Sequence, residues 1–131
     1  MENTDAGRVS LSTIRQILVT VKDLARATAF YRDTLGMKLL FEFPGMAFFD
    51  AGGIRLYLGV ADNPELDHPA SMIYYLVTDI VGTHQALVAK GVKVVAEPRF
   101  IAPMPDHDLW LADYRDSEGN IFALMSEVPR A

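Results

Sequence analysis

The sequence predicts an α+β fold: two tandem βαβββ modules rolled into a mostly antiparallel eight-stranded sheet around a ligand cavity, with the helices outside. Three observations predict it. The chain has 131 residues, half of them hydrophobic, which fits one compact domain or two half-size units around a shared core. A strand pattern, an Asp, a helical pattern and a Gly then occur twice in that order, Asp23 and Gly36 recurring as Asp79 and Gly91. Each of these openings is followed by three further strand candidates, so the repeat unit is about 55 residues.

The first strand is Ile14–Val21, β-branched and bounded by polar residues, with Ile17, Val19 and Val21 on one face and Gln16, Leu18 and Thr20 on the other. Asp23 stands at a helix N-cap. Leu24, Ala27, Tyr31 and Leu35 recur at helical spacing, and Gly36 falls where a helix ends in the left-handed conformation. Met37–Phe43, Met46–Asp50 and Ile54–Leu58 read as strands, with Pro44-Gly45 and Gly52-Gly53 as turns. A polar stretch, 61–70, links this module (12–60) to a second (71–127). There, Ser71–Thr78 is a strand, Asp79 an N-cap, and Ile80–Lys90 a helix closed by Gly91. The last strands are Val92–Ala96, running on toward Ile101, then His107–Arg115 and Asn120–Ser126. The Asp116–Asn120 turn separates the last two, and Asp116 and Glu118 are expected to be solvated in it. Residues 1–11 are expected to be a mobile N-terminus and 128–131 a tail.

Twelve basic residues stand against seventeen acidic ones, a formal charge of −5, which disfavours nucleic acid and anionic membranes as partners. The absence of Cys excludes disulfides, thiolate metal sites and a cysteine nucleophile. No segment has the length and apolarity of a membrane span or signal peptide, so a soluble, cytoplasmic protein is expected. Phosphate-binding glycine loops and a G-x-S-x-G nucleophile elbow are also missing.

Val21-Lys22-Asp23-Leu24 running into Phe30-Tyr31-Arg32-Asp33-Thr34-Leu35-Gly36 resembles the opening of the vicinal oxygen chelate superfamily. Val77-Thr78-Asp79-Ile80 is similar to its second opening, and Asp116-Ser117-Glu118-Gly119-Asn120 to its D-P-x-G-N turn, with Ser117 in place of Pro. That superfamily includes glyoxalase I, bleomycin-resistance proteins, extradiol dioxygenases and methylmalonyl-CoA epimerases. The resemblance implies a cavity whose metal enzymes place one ligand on each of four strands. Those positions correspond here to Gln16, Ile73, Ala123 and, on the fourth strand, Arg55 or Tyr57. None is a usual ligand for a divalent cation, so no metal or other cofactor is expected.

Of the histidines, His68 falls in the linker and His84 on the second helix, outside the proposed cavity, where each is expected to be a surface residue. His107 lies between Asp106 and Asp108, where it is open to three readings: a general base, a ligand contact or a strand-edge residue. Tyr57 and Tyr75 share the inferred cavity parity. Arg55 requires an anion if it faces inward, and Trp110 is either core or a stacking platform. Phe41, Phe43, Phe48 and Phe49 are packing residues, some of which could line an apolar pocket. The expected function is metal-free binding of an aromatic or amphipathic small molecule by Gln16, Arg55, Tyr57, Ile73, Tyr75, His107, Trp110, Ala123 and Met125. The alternative is a lyase, isomerase or dioxygenase-like enzyme using His107 or a rearranged metal site. Exposed strand edges, with the resemblance, point to a homodimer.

Overall fold

The computed structural model describes residues 12–69 and 71–130. The expected mobile segment 1–11 lies outside them. Strand β1 (Gln16–Val21) leads into helix α1 (Leu24–Ala29), then strands β2 (Lys38–Phe43), β3 (Met46–Asp50) and β4 (Arg55–Val60) follow. The second module repeats this with β5 (Ile73–Leu76), α2 (Ile80–Ala89), β6 (Lys93–Pro103), β7 (His107–Arg115) and β8 (Ile121–Pro129). The eight strands form two separate four-stranded sheets, ordered β1-β4-β3-β2 and β5-β8-β7-β6, and they do not close around an interior. Both sheets are mixed: β1 runs parallel to β4 and β5 parallel to β8, while the other pairs are antiparallel. Among the described residues no helix is long and apolar enough to cross a membrane.

Both N-caps form as their residue type requires: Asp23 accepts from the Arg26 N–H and Asp79 from the Gly82 N–H. The first helix is α-helical only to Ala29. Beyond it, Phe30–Thr34 is a wider π-type turn. This turn carries residues that reach the other module: Phe30 packs on the second core, the Tyr31 hydroxyl donates to Asp116, and the Asp33 carbonyl accepts from Lys90. Strand β6 is longer than predicted and has three register irregularities. Pro98 is tolerated there because β6 is an edge strand, where a missing N–H costs no ladder bond. The tail begins later than predicted, since β8 pairs with β7 as far as Pro129 opposite His107. Arg130 then donates to the carbonyls of Met104, Pro105 and His107 and to Asp108, pinning the end of the chain over the β6–β7 turn.

Each sheet packs one face on its own helix. Val19, Val21, Ala47, Phe49, Leu56 and Leu58 meet Ala27 and Tyr31; Ala112, Tyr114, Phe122 and Leu124 meet Ile80 and Leu87. The modules are joined at the β7–β8 turn, which corrects the expectation that its acids are solvated. Asp116 is only 7 % exposed and accepts from the Tyr31 hydroxyl at 2.8 Å. Glu118 accepts from the backbone N–H groups of Lys22 and Asp23, and Arg26 donates to the Ser117 carbonyl.

Three tyrosines in or beside this packing favour the neutral form. Burial first, then Asp116, raises Tyr31 far above its ordinary range and pushes Tyr75 up to about 12. Tyr114 is also pushed up to about 12, by burial and then Asp113. A raised folded-state pKa contributes stability that is fully present below the unfolded value of about 10 and is lost above it. From neutral pH the urea midpoint should therefore hold up to about pH 10 and fall from there through about pH 12. A midpoint unchanged across that alkaline window would contradict this packing.

Candidate functional site

Because side chains alternate along a strand, each sheet has a second face, and no α-helix among the described residues covers it. On the first sheet, Leu56 and Leu58 point to the helix, so Arg55, Tyr57 and Gly59 point to the open face. Their register partners Gln16, Leu18 and Thr20 on β1 and Phe48 and Met46 on β3 share it. Phe41 and Phe43 extend it across β2, next to Phe48 and Met46. The rings form a row: Phe48 stacks on Tyr57 at 4.6 Å and 11°, and Phe41 on Phe48 at 4.8 Å and 29°. Phe43 meets Phe41 edge-on and is 54 % exposed. Gly59 is what lets Tyr57 lie along its strand, since a Cβ there would stand 2.9 Å from the Tyr57 ring and hydroxyl. At the start of β4, the Arg55 Nε donates to Gln16 Oε1 at 3.0 Å.

On the second sheet the helix side carries Ala112, Tyr114, Phe122 and Leu124, so the open face carries Ala123, Met125 and Glu127 on β8 and Leu109, Leu111 and Asp113 on β7. His107 joins them, with its Nε2 3.9 Å from Glu127 and its Nδ1 2.6 Å from Asp106. That bond to His107 holds the Asp106 carboxyl below the usual carboxylate range. Asp113 pairs with Arg99 at 3.2 Å.

The structure thus brings Gln16, Arg55 and Tyr57 together on one open face, and Ala123, Met125 and His107 on the other. Three predicted residues are elsewhere. On β5 the pairs are Tyr74↔Ala123 and Leu76↔Met125, so Ile73 and Tyr75 take the opposite, inward side. Ile73 packs on the first core and Tyr75 on the second. The Tyr75 hydroxyl is buried without a hydrogen-bond partner, beside a void of about 10 Å³ that Tyr31 and Asp116 also line. Trp110 alternates with Leu109 and Leu111, which turns it to the helix side. It stands there beside Ile80, Ser126 and Val128 and meets Phe100 edge-on. On this face β5 presents Tyr74, which the sequence reading did not include. His84 hydrogen-bonds the Tyr114 hydroxyl at 2.8 Å and so fastens α2 to β7.

A crevice of about 580 Å³ lies on neither open face but at the seam between modules. Several of its polar groups are engaged with each other: Arg115 donates to the Gly119 carbonyl, Arg26 to that of Ser117, and Glu118 accepts two backbone N–H groups, while the buried Ser117 hydroxyl has no partner. Metal donors are equally scarce. Gln16 is occupied by Arg55, Ala123 offers no donor, and β5 turns Tyr74 and Leu76 to that side. Among the described residues there is no group of three or more His, Cys, Asp or Glu able to hold a metal ion. The site does not fit one.

A family model described as Glyoxalase/Bleomycin resistance protein/Dioxygenase superfamily matches residues 13–124. Metallothiol transferase FosB of Lysinibacillus sphaericus is 36 % identical over 75 residues, covering 57 % of this chain and 50 % of the relative. The protein of that name from Staphylococcus epidermidis is 40 % identical over 70 residues, 53 % of this chain and 48 % of its own. The chain spans about half the length of these curated relatives. Among solved structures, a glyoxalase/bleomycin resistance protein/dioxygenase from Nocardioides superposes with a TM-score of 0.72 at 23 % identity, covering 92 % of this chain and 87 % of that one. TioX from Micromonospora sp. ML1 gives a TM-score of 0.72 at 19 % identity, over 89 % of this chain and 100 % of that one. These two likenesses are of fold.

Proposed function

Since the chain belongs to the Glyoxalase/Bleomycin resistance protein/Dioxygenase superfamily, we propose that it is a binding protein that holds an aromatic or amphipathic small molecule without a metal. The observation that carries this reading is the row of stacked rings on the open face of the first sheet, next to positions that lack metal donors. The exposed rings at the outer end of the row, Phe41 and Phe43, favour planar apolar ligands, and Arg55, Gln16 and Tyr57 add polar contacts along one edge. Small-molecule sites bury most of their ligand, which a single open face does not do. A second copy of the chain would supply the missing wall: Phe41, Phe43, Tyr74 and Leu76 are all exposed, and Leu76 is 66 % so. In such a dimer His107, Ala123 and Met125 would contribute from the second sheet.

Two measurements test this. Protein dialysed against zinc, manganese or magnesium and then washed should retain less than about 0.1 metal per chain, because affinity collapses without donors. Screening aromatic compounds by thermal shift should find members that raise Tm with concentration, equivalent to about 2.7 kcal/mol at a hundredfold excess over Kd. If no aromatic compound raises Tm, the reading fails.

A second reading, an enzyme of the same superfamily, is favoured by the name of the FosB relatives and by the His107–Glu127 pair. Near-stoichiometric retention of a transition metal would select it. So would turnover that is lost in His107→Ala.

A further inference from the structure

We infer that the Arg55 guanidinium is the anion-recognising group of the first open face, and that the ligand seated there is an aromatic carboxylate. This rests on the proposal above that the face binds a ligand, and it names that ligand's class. The region where the superfamily's metal enzymes hold a cation lacks metal donors here, and Arg55, bonded to the residue at the first ligand position, brings a fixed positive charge instead. Gln16 Oε1 takes the Nε–H at 3.0 Å, which orients the guanidinium and leaves its two terminal nitrogens as a free fork. A fork of that kind matches the two oxygens of a carboxylate.

The surrounding charges favour an incoming anion. Arg32, Arg99 and Arg130 each have a carboxylate within 4.0 Å, at 2.8, 3.2 and 2.7 Å, whereas Arg55 has none among the described residues. Its cross-strand neighbour Asp50 instead accepts from the Gly53 N–H. Across the sheet the register runs Lys38, Asp50, Arg55, Gln16, two cations around one carboxylate. Tyr57 is two residues on from Arg55 on the same face, about 6.6 Å along the strand, and begins the ring row. A flat ring on the row and an acid at the fork are thus within reach of one small molecule.

The test uses three probes of one shape and different charge, 2-naphthylacetate, 2-naphthylacetamide and 2-(2-naphthyl)ethylamine, titrated by calorimetry against the full chain and Arg55→Gln. The acid should bind roughly tenfold or more tighter than the amide and the amine, the effect of one charge-assisted pair. Arg55→Gln should abolish that preference, the acid falling to the affinity of the amide, and a far-UV circular dichroism spectrum like that of the parent shows that the variant is folded. If the amide or amine binds as tightly as the acid, or if Arg55→Gln keeps the preference, the inference is overturned and the aromatic-binding reading stands. If no probe binds, both fall together.

Discussion

Asp116→Ala is expected to destabilise the fold by about 3 kcal/mol, since a buried acceptor shared by several donors is lost at once. One carboxylate oxygen accepts from the backbone N–H groups of Glu118 and Asn120, at 2.8 and 2.9 Å. The other accepts from the Tyr31 hydroxyl at 2.8 Å and more weakly from the Asn120 amide at 3.4 Å. Ala leaves the Tyr31 hydroxyl buried with no acceptor and removes what shapes the turn. The turn in turn supplies Glu118 to the start of α1, so the loss propagates to the seam between the modules. Tyr31→Phe is milder, about 1 kcal/mol, because the Asp116 oxygen keeps its Asn120 partner. The double variant should cost less than the two single variants added, as expected for groups in one network. Urea unfolding of the four proteins measures this. A cost below about 1 kcal/mol for Asp116→Ala, or strict additivity, would show that the tie does not hold the modules together.

Phe48→Leu is the second large expected effect. Phe48 is the middle ring of the row, with Phe41 on one side and Tyr57 on the other. Leu preserves apolar bulk and so spares most of the stability, while both ring pairs disappear. Each such pair contributes about 0.5–1.5 kcal/mol beyond area burial. An aromatic ligand that extends the row should therefore bind tenfold weaker or worse, seen as a lost Tm shift at fixed concentration. Trp110→Leu, on the helix side of the second sheet, should leave that shift unchanged. Were Trp110→Leu to abolish binding and Phe48→Leu to preserve it, the ligand would sit on the other side of the molecule.

The contrast between those two rings shows how far alternation along a strand can be read. On β1 and β4 the resemblance placed Gln16, Arg55 and Tyr57 as a group, and the contrast between apolar and polar residues on the two faces agrees with it. On β5 all four residues, Ile73 to Leu76, are apolar or aromatic, so a period of two leaves no contrast and the parity slipped by one. Leu109, Trp110 and Leu111 pose the same ambiguity on β7. Only the position of α2 resolves it.

By itself the sequence determined what depends on neighbours along the chain: the two Asp caps, the glycines that follow the helices, the strands of the first module to within two residues at each end, and the repeat. It also determined that the positions matching the superfamily's metal ligands are Gln16, Ile73, Ala123 and Arg55 or Tyr57, none of them a carboxylate or an imidazole, because that follows from residue type. The tertiary structure alone decided which face of β5 and β7 is open, that Asp116 is buried, and that Arg55 is held by Gln16 without a carboxylate. These depend on contacts between residues far apart in sequence, where burial and pairing, unlike local propensity, are properties of the packed chain.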